Sequence, residues 1–168
     1  MIRLKCRGAR CAMAYAQEIR LDHLPEDADG RIFRLFDIWQ DACPDGDIPD
    51  RRDLGADRLA PWRDDIGVYE YLPARHDFII RIDAPNMIAA SGENYQGSTP
   101  RQIDMDFGTA VFATLCNVIA TVAPQFHMIG VQRVQWENWL RLMLPVRTRC
   151  RKGDPVIQVL VVHFLYRV

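Results

Sequence analysis

An α+β fold, with an antiparallel sheet and helices segregated to one face, is what this sequence predicts on three observations. Residues 66–83 read as two short strands, and residues 126–168 read as three more. Between the two groups, residues 109–123 are apolar around more than half of a helical circumference, which marks a mostly buried helix. Ahead of them, residues 31–43 carry one apolar helical stripe. Strands gathered at two places with helices between them favour segregated layers over an alternating α/β order.

The leader comes first. "MIRLKCRGAR" carries Arg3, Lys5, Arg7 and Arg10, and the apolar "CAMAYA" that follows is too short for the hydrophobic region of a signal peptide. Residues 1–30 are therefore set aside as a disordered or loosely attached leader, with Met13 as an alternative start, and residues 31–168 form one domain. In 31–43, Ile32, Leu35, Phe36, Trp39 and Cys43 share a stripe, Asp29 is the predicted N-cap, and Pro44 stops the helix. Residues 45–53 form a loop, and 54–62 hold at most a short helix ended by Pro61. "IGVYEYL" (66–72) and "DFIIRID" (77–83) are strands joined by a turn at 73–76. Residues 84–100 have no sustained period and read as short helical turns and loops. Pro124 ends the long helix at 109–123. The remainder is β: 126–136, a break near Glu137 and Asn138, then 139–146. A basic loop at 147–154 with the turn signal Lys152–Gly153–Asp154–Pro155 leads into a last strand at 156–168.

The segment "WLRLMLPV" (139–146) poses a problem. Leu140, Leu142 and Leu144 point one way, while Trp139, Arg141 and Met143 point the other. An antiparallel strand with one wet face should carry polar residues there. This one has a single charge, so both faces need cover.

The totals exclude several classes. A chain of 168 residues suits one domain and, at this size, buries roughly 68–70% of its extended surface, so no disulfide or metal staple is required. A net charge of −1 argues against a nucleic-acid binder that relies on a global positive field. The five cysteines, at 6, 11, 43, 116 and 150, form no zinc-ligand set and read as free thiols in a reducing cytoplasm. No apolar run reaches the ~18 residues of a membrane span.

Several residues together resemble the PAS superfamily, and more narrowly a bacterial subfamily of stand-alone PAS-like domains. They are Trp39 on the leading helix; "IPDRRDL" with Pro49, Arg51 and Asp53; and "FIIRI" with Arg81. "GENYQG" with Gly92 and Gly97, then "LMLPV" and Gly153, complete the set. The match covers roughly residues 31–164, and one departure is Ala84, where the pattern has Gly. The resemblance implies a five-stranded antiparallel sheet in the order 2-1-5-4-3, with helices on one face and an N-terminal flanking helix. It also implies an internal pocket, for which Tyr95, Phe112, Cys116, Ile119, His127 and Arg141 are the candidate ligand-binding residues. The flanking helix at 31–43 is the expected cover for Trp139 and Met143, with a second protomer as the alternative.

The chemistry is weighed residue by residue. His127 and His163 are candidate metal or haem ligands, but a lone histidine among apolar residues is more often a hydrogen-bonded core residue. The long helix contains no histidine, and "LCNVIA" around Cys116 is not the cysteine motif of photoactive flavin domains. No cofactor, no metal and no catalytic residue are therefore expected. Tyr69, Tyr71, Tyr95, Phe112 and Phe126 line either a cavity or a core. "PDRRD" is read as a salt-bridged loop pinning the leading helix to the sheet, with anion recognition as its alternative. Arg141 needs a partner: Glu137, Asp83 or a bound ligand's carboxylate. The expected function is a cytoplasmic, non-enzymatic sensory or protein-interaction domain. It would bind a small molecule, signal to a protein partner in trans and form a homodimer, with neither nucleic acid nor membrane as partner. A cystatin-like isomerase or dehydratase and a ligand-free structural adaptor are the alternatives; the first needs a His/Asp or Tyr/Asp pair in its cavity.

Overall fold

The computed structural model describes residues 16–132, 135–148 and 155–167. The strands are β1 (Ala16–Leu21), β2 (Gly67–Leu72), β3 (Asp77–Ile82), β4 (Gln125–Gln132), β5 (Trp136–Thr148) and β6 (Val156–Tyr166). The helices are α1 (Gly30–Ala42), α2 (Ala56–Leu59), α3 (Pro85–Ser91), α4 (Pro100–Phe107) and α5 (Val111–Thr121). All the strands belong to one antiparallel sheet in the order β1-β4-β5-β6-β2-β3.

The fold class is α+β, as expected, but the five-stranded sheet in the order 2-1-5-4-3 is corrected to six strands. The added strand, β1, lies in the segment set aside as leader. Its sequence AQEIRL is short and charged, and it is a strand because β4 offers an open edge. Glu18 pairs with Ile129 and Arg20 with His127. The remainder of the leader, residues 1–15, lies outside the described residues.

Helices cover both faces of the sheet, with α1, the expected flanking helix, on one and α5 on the other. On the first face, α1 and the 3₁₀ turns after it pack on Leu140, Leu142, Leu144, Val146, Leu160 and Val162. On the second, α5 packs through Val111, Leu115 and Val118 on Met143, Val159 and Val161. The helix at Trp39 therefore covers the leucine face, and α5 covers the face of Met143, opposite to the expected assignment. Register decides this, because a strand's side chains alternate and α1 can touch only one parity. Neither face needs a second protomer for cover.

α1 starts where Asp29 accepts a hydrogen bond from the Arg31 N–H, and it buries Ile32, Leu35 and Trp39. The Trp39 indole N–H donates to the Pro145 carbonyl at 2.8 Å. Proline is unusual inside a central strand because it cannot donate to the ladder. Here β4 ends opposite Met143, so at Pro145 the β4 side of β5 is already vacant. The same side of β5 is taken up two residues later by the loop, where the Arg147 N–H donates to the Pro49 carbonyl at 2.9 Å. "PDRRD" itself ties to the sheet: Arg51 donates to Gln158 at 3.0 Å, Arg52 pairs with Asp50, and Leu54 is buried beneath α1.

Two boundaries move. Glu137 and Asn138 are not a break but pair with Val131 and Gly130 inside β5. Gly130 is required there: a Cβ would lie 2.1 Å from the Trp136 ring. Arg147 and Thr148 extend β5, while 149–154, including Gly153, lie outside the described residues. Ala84 has φ −64° and ψ 130°, a conformation open to any residue, so the glycine of the PAS pattern is not needed here. Gly92, at φ +79°, does need its freedom, as the left-handed cap of α3.

Trp39→Ala should lower the unfolding free energy by about 3–5 kcal/mol in urea titration, through lost packing and an abandoned Pro145 carbonyl. A loss below about 1 kcal/mol would show that α1 is not what holds this face.

Candidate functional site

The second face of the sheet carries an unusual row. His127 on β4 pairs in register with Arg141 on β5, which pairs with His163 on β6. Arg141 is only 1% exposed. An ion this deep is tolerable only if paired, since the desolvation penalty is several kcal/mol. Its partner is Glu18 on β1, whose Oε1 accepts from Arg141 Nη2. Thr114 on α5 completes the cluster: its Oγ1 lies 2.8 Å from Glu18 Oε1 and 3.4 Å from Arg141 Nη2. Three elements distant in sequence thus meet at one charge.

Of the partners expected for Arg141, the two protein carboxylates, Glu137 and Asp83, are both engaged elsewhere. Glu137 accepts from the Trp139 indole at 3.2 Å, and Asp83 accepts from the Tyr95 N–H at 2.8 Å. Glu18 was hidden in the segment set aside as leader. The faint signal for it was the alternation of Glu18 and Arg20 with Ile19 and Leu21.

Burial and charge set the protonation states. Burial pushes the Glu18 carboxyl up, but the Arg141 charge, the Thr114 hydroxyl and His127 outweigh it, and the net direction is down. Burial holds His127 down to about 4, with the Arg141 charge adding to the effect. The same two causes hold His163 down to about 3. Both imidazoles are therefore neutral at pH 7. Among the described residues, Arg141 Nε and Nη1, Glu18 Oε2 and the Nδ1 atoms of His127 and His163 are buried without a hydrogen-bond partner.

Beside this row lies a cavity of about 100 Å³, between the sheet and α3, α4 and the start of α5. Tyr69, Trp139, Arg141 and His163 contribute its sheet-side wall, and Tyr95 and Phe107 belong to the opposite wall. Those two rings meet edge to face at 6.0 Å, and the Tyr95 hydroxyl donates to Asp106 at 2.8 Å. Asp83 also lines the cavity; burial pushes its carboxyl up, against hydrogen bonds from the N–H groups of Tyr95 and Ala84.

Of the residues named from sequence, Tyr95 and Arg141 line this cavity. Phe112, Cys116 and Ile119 pack instead against the core beneath α5, where Phe112 meets Phe78 at 6.1 Å. His127 opens on a neighbouring surface depression with Glu18 and Thr114. Phe126 belongs to the other face, edge to face with Phe36 at 5.2 Å, and Tyr71 rests on Phe78. Tyr69 does line the cavity; Thr114 was not anticipated at all, because an alcohol inside an apolar helix carries no local mark of its partner.

Comparison of the chain with protein-family models, with curated proteins and with solved structures gives no match. Among the described residues, no helix is long and apolar enough to cross a membrane, and no three His, Cys, Asp or Glu side chains converge as a metal site.

Two outcomes test the cluster. Glu18→Ala should destabilise the fold by about 3 kcal/mol, because it leaves Arg141 buried and unpaired, and Glu18→Ala/Arg141→Met should recover part of that loss in a double-mutant cycle. Stability should also fall with acid. Each histidine binds its proton less readily folded than unfolded, so the unfolded state gains protons first as pH drops below 6.5. The fold should lose about 2 kcal/mol per histidine between pH 7 and pH 5, with further loss toward pH 4. His163→Phe should flatten the slope of a urea-midpoint series over that window; an unchanged slope would mean that His163 is readily protonated in the folded chain.

Proposed function

We propose that this chain is a non-enzymatic, PAS-like sensory domain that binds a small organic molecule in the cavity beneath α3–α5. It would report occupancy to a protein partner in trans, as a homodimer in the cytoplasm. One observation carries the reading: a partly open, mostly apolar cavity of about 100 Å³ whose lining includes the buried cation Arg141. Apolar lining with a few convergent polar groups is the usual make-up of a small-molecule site. The resemblance of "IPDRRDL", "GENYQG" and "LMLPV" to the PAS pattern supports the same reading. A ligand touching both the sheet and the short helices α3 and α4 would favour one arrangement of those helices, which gives the signal a physical route.

The isomerase-like alternative has one observation in its favour, because Tyr69, Asp83 and His163 share the cavity wall. Their states speak against proton transfer. A general base works best with a pKa near the operating pH. His163 is held at about 3, and burial pushes the Tyr69 hydroxyl well above its ordinary range. Asp83 is the exception in direction, since burial pushes its carboxyl up, but it is held by the N–H groups of Tyr95 and Ala84.

Native mass spectrometry of freshly purified protein should show dimers carrying a small organic adduct that is lost on denaturation. Monomers free of any adduct, and unresponsive to a library of small fragments, would instead favour the ligand-free adaptor.

A further inference from the structure

The sheet has two outer edges, and they are finished differently. The edge of β3 is closed: the Ile80 N–H donates to the Ser98 carbonyl at 2.9 Å, and the Gly97 N–H donates to the Ile80 carbonyl at 2.8 Å. At the other end of the sheet β1 pairs with β4 on one side, and among the described residues nothing pairs with its outer side. An open edge offers a row of backbone donors and acceptors, and proteins that stay apart blunt it with proline, a bulge or repelling charge. β1 has none of these. Its sequence AQEIRL contains no proline, its register with β4 is unbroken from Ala16 to Leu21, and its two charges, Glu18 and Arg20, are of opposite sign. Between them Ile19 is 51% exposed and stands opposite Met128, at the rim of the α1 face.

A second copy of this chain fits that edge, because β1 is complementary to itself. When two copies of one strand pair antiparallel, a residue that bonds outward must face another that bonds outward, so the two-fold axis falls on a residue and never between two. An axis at Glu18 sets two carboxylates opposite each other, and an axis at Arg20 sets two guanidiniums opposite each other; directly opposed like charges are destabilising. An axis near either end of β1 runs half of the pairing off the strand. An axis at Ile19 avoids both faults. It sets Glu18 against Arg20 twice, Gln17 against Leu21 twice, and Ile19 against its own copy, so that each exposed isoleucine covers the other. We propose that the homodimer forms by antiparallel pairing of β1 with β1 of a second copy about Ile19, which joins the two six-stranded sheets into one. The proposal rests on the homodimer part of the reading above and adds the surface. The second copy takes an edge and leaves both covered faces as they are. The interface is also tied to the cavity, since Glu18 on β1 pairs with Arg141, which lines it. With six residues on each side the contact is small, so the association should be reversible.

The test follows the full chain by sedimentation velocity over a wide range of concentration. Wild type should be a reversible dimer. Ile19→Lys sets two ammonium groups at the axis, and Arg20→Glu sets a carboxylate opposite Glu18; each should raise the dissociation constant by roughly tenfold or more. Both positions are exposed, so the monomer should keep its fold. Arg20→Lys should keep the dimer, and so should Met105→Lys, which alters an apolar side chain 72% exposed on α4. The register is read separately. Directly opposed residues have Cα atoms about 4.5–5.5 Å apart, within reach of a disulfide. Ile19→Cys should therefore cross-link two copies under mild oxidation, with the bridge mapped between the two copies of residue 19 by peptide mass spectrometry. Gln17→Cys, displaced along the strand from its own copy, should not. A wild type that is monomeric at every concentration overturns both this interface and the homodimer reading. A dimer that Ile19→Lys and Arg20→Glu leave unchanged, with no bridge at residue 19, overturns the interface while the homodimer reading stands. Should a charged variant fail to fold, the bridge at residue 19 decides the question.

Discussion

The buried pair of Arg141 and Glu18 is the constraint around which one side of this fold is arranged. A guanidinium at the centre of a sheet cannot stay there unpaired, because its desolvation far exceeds what apolar neighbours return. The pair forms only if β1 docks beside β4 in the register that places Glu18 opposite Ile129. It also needs α5 above the sheet, so that Thr114 reaches both ions. One charge thus fixes the sixth strand and the seat of the long helix together. The neutral state of His127 and His163 is a further consequence, since each sits beside that charge in a desolvated row.

The other side of the sheet is held by apolar packing with one directional contact. Leu140, Leu142, Leu144 and Val146 meet α1 and the turns that follow it, and the Trp39 indole fixes the helix against the Pro145 carbonyl. That contact exists because β5 outruns β4. Where the ladder stops, a side chain and the Pro49 carbonyl take over the exposed backbone groups. The "PDRRD" loop is accordingly a fastening between α1 and the far end of β5.

The two faces differ in what they leave unfilled. The α1 face is packed by branched and aromatic side chains. The α5 face is covered by shorter helices, and α3 and α4 stand off the sheet over Tyr69, Trp139 and His163. Polar groups concentrate on the side with the space.

Periodicity determined much of this from sequence. The alternation of Leu140, Leu142 and Leu144 with Trp139, Arg141 and Met143 already stated that β5 is covered on both sides. The stripe through Ile32, Leu35 and Trp39 marked α1, with Asp29 as its cap, and the apolar girth of 109–123 marked α5. These are local properties, set by the backbone's own period. Which helix covers which face was not legible, because both are apolar and only register distinguishes them. The leader concealed β1, since six residues with two charges make a strand only when an edge waits for them. Of the candidate residues, Tyr95 and Arg141 line the cavity, whereas Phe112, Cys116 and Ile119 pack against the core, and nothing in their spacing separated cavity wall from packing. The partner of Arg141 lay 123 residues away. A buried charge announces in sequence that it must be paired; only the folded chain, by bringing β1, β5 and α5 to one point, decides with what.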